Sequence, residues 1–476
     1  MGFPTVIKAV VCYIESHLDK ARLDYGELER LFGYSGAHLR ELFRRETGVS
    51  LARYQRHRRV MRSAWELLHT DKTVLEIGAA YGFANPETYA RAFRSVTGLT
   101  PSRLRSRNRM GSGCGSSTQE QKGRSDGMNR ENTGDSRAIY GVPRVFYGAY
   151  GGVTPYPICL KACADFLGDK VSYTQMMAGS GAAFRFAWNR EMWDLSNVDI
   201  YHTFTESNNV YCLGGKALGR EFSFLERGED TTKEAFLEFI KARLEQGYPC
   251  IALGVIGPPE ACIVTGYRRS GGELLGWNCF QENPEFAASV TKDESGYFIA
   301  RGWWENTDTQ AVMCIGPKVG EPLNVREVLE NAVKAMTPRQ EGAYAKGLAA
   351  YAAWREAMGR EEEYNTGGNY SLLLEKMMCH NDAMNCLEDG RYHAAAFFRQ
   401  AAKATGEEGY GQIGEEFARC AEELKGLREL FDTPSGMDKA MKLLADRDVR
   451  QQACQKITLA EQADARALEM MRKVLG

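Results

Sequence analysis

Residues 80–105 read AYGFANPETYARAFRSVTGLTPSRLR, and few folds accommodate that order of glycine, short polar break and amphipathic stretch. Gly82 permits a tight turn, Asn85 can cap a following helix, and Pro86 suits that helix's first position. Tyr89, Phe93 and Val96 recur at helical spacing and would hold the segment against a core, leaving Glu87, Thr88, Arg91 and Arg94 on the opposite face. The pattern predicts a helix-turn-helix whose second helix, about 86–96, can enter a DNA major groove.

A degenerate copy lies earlier. Residues 25–53, YGELERLFGYSGAHLRELFRRETGVSLAR, repeat a short helix, a glycine turn at Gly33 and Tyr34, and a capping Ser35. An amphipathic helix with Leu39, Leu42 and Phe43 follows, then Gly48 and a new helix. Two such units, joined by the basic stretch 51–69, could read successive major-groove segments on one face of a duplex. In these residues the chain resembles the AraC/XylS family of bacterial transcription regulators, over roughly residues 4–107. The frame Gly82, Phe83, Phe93, Gly98 and Pro101 carries the resemblance in the second unit. The resemblance implies that Ser35, Gly36, His38, Arg40 and Arg44 face bases from a first recognition helix at about 35–45. It implies the same of Asn85, Glu87, Thr88 and Arg91 in the second. RNA polymerase and a second copy of the chain are the expected protein partners.

Charge points the same way. Residues 1–110 hold 19 Lys and Arg against 11 Asp and Glu, a net +8; the whole chain is −2, so the remainder carries −10. A basic DNA reader attached to an acidic partner region would show this asymmetry. Arg53, Arg56, Arg58, Arg59 and Arg62 crowd one helix, and several are expected to face phosphates. A merely solvated basic helix is the alternative.

Length, with 476 residues and 43% hydrophobic content, suits about three packed domains. The expected organisation is a 1–109 all-α double helix-turn-helix, a Gly- and Ser-rich flexible linker at 110–140, an α+β domain at 141–320 with an antiparallel sheet, and a helical bundle at 321–476. No apolar stretch is long enough to span a bilayer and no secretory signal is read, so a cytoplasmic protein with no membrane partner is expected. The 13 cysteines are odd in number and include no Cys-x-x-Cys pair. Reduced, mostly buried thiols are the expectation, with no metal site and no cofactor.

The order of elements over about 150–316 resembles the papain-like fold, in particular the butirosin-biosynthesis acyltransferase N-terminal type. That resemblance implies a helix-start cysteine at Cys159 as nucleophile, with a histidine opening a strand as base. The chain departs from the pattern: GPPEACIVTGY places Glu260 and Ala261 where Gly-His would stand, and Asn278 falls near the orienting position. Only His202 lies in this region, and a carboxylate disfavours a neighbouring thiolate. The expected function is therefore a transcription regulator that senses a small-molecule effector in a degenerate papain-like pocket, without catalysis. Tyr147, Tyr156, Cys159, Phe184, Trp188, Glu260, Tyr267, Trp277 and Asn278 are the expected lining. Glu260, fixed by Pro258 and Pro259, would suit an amine-bearing or cationic molecule with an apolar part. The alternatives are a regulator fused to an active cysteine hydrolase or acyltransferase, in which Glu260 or His202 replaces the base, or to a protein-interaction module.

Overall fold

A computed structural model describes scattered positions up to residue 20, then residues 23–105 except 48–50, 70–71, 84, 98–99 and 103–104. It also describes residues 135–476 except 207–208, 229, 257–259, 280, 282–289, 307, 365–369 and 432–436. Within some helices the side chains are outside the described set as well, among them those of Arg44, Arg53, Arg62 and Val96. Most of the expected linker, Gly48, Gly98, Pro258 and Pro259 lie outside the described residues.

Helices α1 (Tyr25–Phe32), α2 (Gly36–Thr47), α3 (Leu51–His69), α4 (Val74–Ala80) and α5 (Pro86–Thr97) form the N-terminal region. Helix α3 is its spine, because its two ends belong to different cores. Leu51 and Tyr54 pack with Leu28, Leu39, Leu42 and Phe43 of the first helix-turn-helix. Val60 and Leu67 pack with Ile77, Phe83, Tyr89 and Phe93 of the second. Gln55, buried in the second turn of α3, donates from Nε2 to the carbonyls of His17 and Lys20 at 3.2 and 2.9 Å, which ties down the N-terminal segment.

By density of contacts the chain divides into two units, 1–170 with 222–317, and 171–221 with 318–476. The second break, at 317/318, falls beside the expected boundary at 320, whereas residues 171–221, expected in the α+β domain, group with the C-terminal helices. Apolar spacing in SYTQMMAGSGAAF reports that a helix has a buried face, not which core receives it.

In the first unit an antiparallel sheet runs β3-β9-β4-β5-β6-β8-β7, with β1 (Arg137–Ala138) pairing the far end of β5. The strands are β3 (Arg220–Glu226), β4 (Cys250–Leu253), β5 (Ala261–Arg268), β6 (Glu273–Asn278), β7 (Val290–Lys292), β8 (Phe298–Arg301) and β9 (Ala311–Lys318). Strands β4, β5, β6, β8 and β9 are the segments whose composition predicted strands, and β4–β5, β5–β6, β6–β8 and β4–β9 are antiparallel as expected. A bulge between Val264 and Gly266 re-aims β5 past β6. The unit also contains helices α6 (Pro155–Phe166) and α9 (Lys233–Glu245), and α9 contributes Phe236, Ile240 and Leu244 to the sheet's core.

The second unit is mainly helical. Its helices are α7 (Tyr173–Ser180), α8 (Asn209–Ala217), α10 (Val325–Met336), α11 (Ala349–Met358), α12 (Tyr370–Thr405), α13 (Glu408–Phe431), α14 (Met437–Ala445) and α15 (Arg447–Leu475). A small antiparallel sheet, β10 (Arg339–Glu341), β11 (Tyr344–Lys346) and β2 (Ala187–Asn189), was not legible as strands at its C-terminal end. Its core holds a buried ion pair, Arg391 Nη2 to Asp464 Oδ2 at 2.7 Å, with Tyr351 donating to the same carboxylate oxygen at 2.8 Å. Arg391 also donates to the Ala183 carbonyl at 2.7 Å, so the cost of desolvating the pair is offset by further hydrogen bonds. Among the described residues no helix is long and apolar enough to cross a membrane, and no cluster of His, Cys, Asp or Glu suits a metal ion.

Candidate nucleic-acid interface

The second helix-turn-helix is built by its caps. Thr73 and Glu76 close a reciprocal capping box on α4: Glu76 N donates to Thr73 Oγ1 at 3.1 Å and Thr73 N donates to Glu76 Oε2 at 2.6 Å. Gly82 adopts φ 66° in the turn. Thr88 N then donates to Asn85 Oδ1 at 2.8 Å, and Pro86 opens α5. Gly78 lets α4 approach α5, since a Cβ there would stand 2.9 Å from Cδ1 of Tyr89. Tyr89 and Phe93 are fully buried, while Glu87, Thr88, Arg91 and Arg94 are exposed together on the other face. Asn85 is exposed too, but its side-chain oxygen serves the cap, leaving only the amide NH2 free to face a base.

The first unit is assembled differently at the corresponding place. Ser35 Oγ accepts from His38 N at 3.3 Å, and Glu29 Oε1 accepts from Gly36 N at 2.6 Å, so a carboxylate occupies the start of α2. Gly36 is buried under Tyr25 and Glu29, where a Cβ would lie 3.1–3.3 Å from both side chains. Its expected place among base-facing residues is therefore corrected: it is a packing glycine. Ser35, His38 and Arg40 are exposed, and the Arg40 guanidinium lies 4.8 Å from the centre of the Tyr25 ring. Sequence reasoning passed over Tyr34. It is exposed and stacks on His38, ring centres 5.2 Å apart at 22°, at the entry to the recognition helix. The turn position Gly33-Tyr34 had been read for its backbone alone.

The basic helix α3 divides its arginines between roles. Arg56 is exposed and can face phosphate, as expected. Arg59 is instead buried: its Nε donates to the Tyr81 carbonyl at 2.6 Å and its guanidinium sits 4.2 Å over Phe83. The expectation that it stands free for phosphate is corrected, since the second core has claimed it. Arg105 likewise turns back, donating from Nε to the Leu67 carbonyl at 3.0 Å.

The residues of the expected effector pocket are divided between the two units. Phe184 and Trp188 belong to the second unit, where Phe184 meets Phe398 and Phe417 and Trp188 stacks on Trp354 with ring centres 5.4 Å apart. His202 is in that unit as well, 4.1 Å from the Tyr344 ring, with burial pushing its pKa down to about 4. Burial thus makes His202 a weaker base than a free imidazole, which weighs against the substitute-base role. In the first unit Tyr156 and Cys159 are buried in α6, Tyr267 in β5, and Trp277 and Asn278 in β6. Trp277 Nε1 donates to the Val142 carbonyl at 2.9 Å, and Asn278, expected near the orienting position, donates from Nδ2 to the Ile256 carbonyl at 3.2 Å. Cys159 lies in the second turn of α6, not at its first residue, and its Sγ donates to the Ala261 carbonyl at 3.5 Å. Burial, then the adjacent Cys279, pushes this thiol well above its usual range. Tyr147, Tyr150 and Glu260 are half-buried. Tyr150 adopts φ 59° between Gly148 and Gly151, both also left-handed, and the Lys161 ammonium lies 4.8 Å over its ring.

Residues 28–107 match the family model described as a helix-turn-helix domain. The chain is 40% identical over 106 residues to the Transposon Tn10 TetD protein of Escherichia coli, covering 22% of this chain and 75% of that protein. It is 32% identical over 101 residues to the HTH-type transcriptional activator AarP of Providencia stuartii, covering 21% and 74%. To the regulatory protein SoxS of Escherichia coli K12 it is 31% identical over 107 residues, 22% of this chain and 99% of that one. With two capped helix-turn-helix units sharing one spine helix, and these relatives covered over 74–99% of their own lengths, the chain belongs to the AraC/XylS family of DNA-binding transcription regulators.

Proposed function

We propose that this regulator responds to a small molecule bound in its first unit, beside the start of α6, and that binding alters how the DNA reader is presented. The observation that carries the reading is Tyr150. A tyrosine held left-handed costs of order 1 kcal/mol or more and persists where the surroundings over-determine it, which is characteristic of binding sites. Its ring carries the Lys161 ammonium at 4.8 Å, and a ligand with an apolar body and a cationic or amine group that displaced Lys161 would meet the same aromatic face, with the half-buried Glu260 as the proposed carboxylate. In the papain-like frame this is the approach to the former nucleophile, and the buried Cys159 weighs against hydrolase or acyltransferase chemistry there. The regulator acts in the cytoplasm on double-stranded DNA. Base readout falls to Ser35, His38, Arg40 and Arg44 of the first unit and to Asn85, Glu87, Thr88 and Arg91 of the second. RNA polymerase is its protein partner, and it works as a homodimer.

The test is native mass spectrometry of the full chain purified from its host, followed by density for any retained small molecule and by operator-binding measurements with Glu260→Gln. A retained molecule whose loss changes operator affinity supports the sensor. Operator affinity that ignores both extracts of the host and the Glu260 substitution sinks it.

A further inference from the structure

We infer that Phe146 is a clasp by which the α+β domain holds the second helix-turn-helix, and that it passes the state of the Tyr150 turn to the DNA reader. Its role in signalling rests on the sensor reading above, whereas the clasp itself needs no effector. Phe146 is half-buried and packs against the cluster of Val60, Leu67, Ile77, Phe83, Tyr89 and Phe93, which is the reader's second core. The chain on its N-terminal side is fastened to the sheet. Ile139 N donates to the Thr265 carbonyl at 2.7 Å, the Ile139 carbonyl accepts from Tyr297 at 2.9 Å, and the Val142 carbonyl accepts from Trp277. Val145, next to the clasp, is buried. On the C-terminal side Ala149 N donates to the Phe146 carbonyl at 2.9 Å, so the clasp is bonded directly to the turn that contains Tyr150.

Residues 139–151 thus begin on the sheet, pack an aromatic ring against the reader's second core and end in a strained turn before α6. Gly148, Tyr150 and Gly151 are left-handed within four positions, so a change at the Tyr150–Lys161 contact falls on the strained turn that is bonded to Phe146. Because Glu87, Thr88, Arg91 and Arg94 stay exposed while Phe146 is docked, the clasp fixes the reader without covering the face that meets DNA.

The experiment uses the full chain with Phe146→Ala, the conservative Phe146→Leu, and a benzoylphenylalanine photocrosslinker at position 146. Amide exchange over residues 74–93 is expected to accelerate on the order of tenfold in Phe146→Ala, as expected for loss of one partly buried aromatic contact, and to recover in Phe146→Leu. Crosslinks are expected within residues 60–93. Unchanged exchange in Phe146→Ala, or crosslinks confined to the α+β domain, overturns the clasp. The signalling role is read separately with the methanol-extracted small-molecule fraction of the purified protein as probe. If that fraction shifts operator affinity of the unsubstituted chain and of Phe146→Ala equally, the route through Phe146 is overturned while the sensor stands. If it shifts neither, the sensor reading and with it the signalling role fall, and the exchange result still decides the clasp.

Discussion

The Arg59 guanidinium rests 4.2 Å over the Phe83 ring while its Nε holds the Tyr81 carbonyl at 2.6 Å. One arginine from the shared spine thereby fixes the turn of the second helix-turn-helix and satisfies a carbonyl at the end of α4. Arg59→Ala should lower stability of the N-terminal region by about 2 kcal/mol, by loss of a charged hydrogen bond and a cation–π contact. It should weaken binding to every DNA sequence alike. Chemical denaturation together with selection from a randomised site library reads both effects; a shifted base preference would make Arg59 a base reader and contradict its burial.

Arg91, exposed on the free face of α5, is expected to behave oppositely. Arg91→Ala should leave the melting curve within about 0.5 kcal/mol of the unsubstituted chain while relaxing preference at one base pair by roughly 1–3 kcal/mol. Weakening that is uniform across sequences would assign it to phosphate. In either case log affinity should fall linearly with log salt, and Arg56→Ala should reduce the slope by about one unit.

Gly78 faces Tyr89 with no room for a methyl group. Gly78→Val should overpack the junction of α4 and α5 and cost roughly 1–3 kcal/mol. A second substitution, Tyr89→Leu, should relieve part of that cost, which a double-mutant cycle measures.

Cys159 should resist a soluble maleimide in the folded protein and react once the chain is unfolded, since burial and Cys279 keep its thiol protonated. Labelling of Cys159 ahead of the half-buried Cys212, followed by mass spectrometry, would reopen the nucleophile reading.

His380 is fully buried, accepts from Trp354 Nε1 at 3.1 Å on Nδ1, and is pushed by burial down to a pKa of about 3. A depressed folded-state value means that its contribution to stability is present above the unfolded value of about 6.5 and is lost as pH falls toward 3. The second unit should lose up to about 1.4 kcal/mol per pH unit over that window from this residue. Burial lifts Asp199 to about 7, against the opposing pull of Arg185, so its contribution runs the other way: it is present below about 4 and lost as pH rises to 7. His380→Gln, which retains an acceptor and does not titrate, should flatten the acid limb of a pH-resolved melting series. An unchanged limb would show that His380 is not its source.

By itself the sequence determined the DNA reader almost completely. Capping residues, turn glycines and apolar spacing are local, so Gly82, Asn85, Pro86, Tyr89 and Phe93 announced a helix-turn-helix before any tertiary contact was known. The strands of the first unit were legible for the same reason, through short apolar runs broken by turns. What only the tertiary structure decided was which apolar and charged side chains are consumed by packing. Arg59 and Arg56 are three residues apart on one basic helix, yet one is buried on Phe83 and the other is exposed. Gly36 looked free until Tyr25 and Glu29 closed over it. Trp188 and Trp277 shared an apparently continuous aromatic domain, yet they belong to different units. Composition and periodicity state that a side chain must be buried; the partner that buries it is a contact between residues far apart in the chain, which no local pattern encodes.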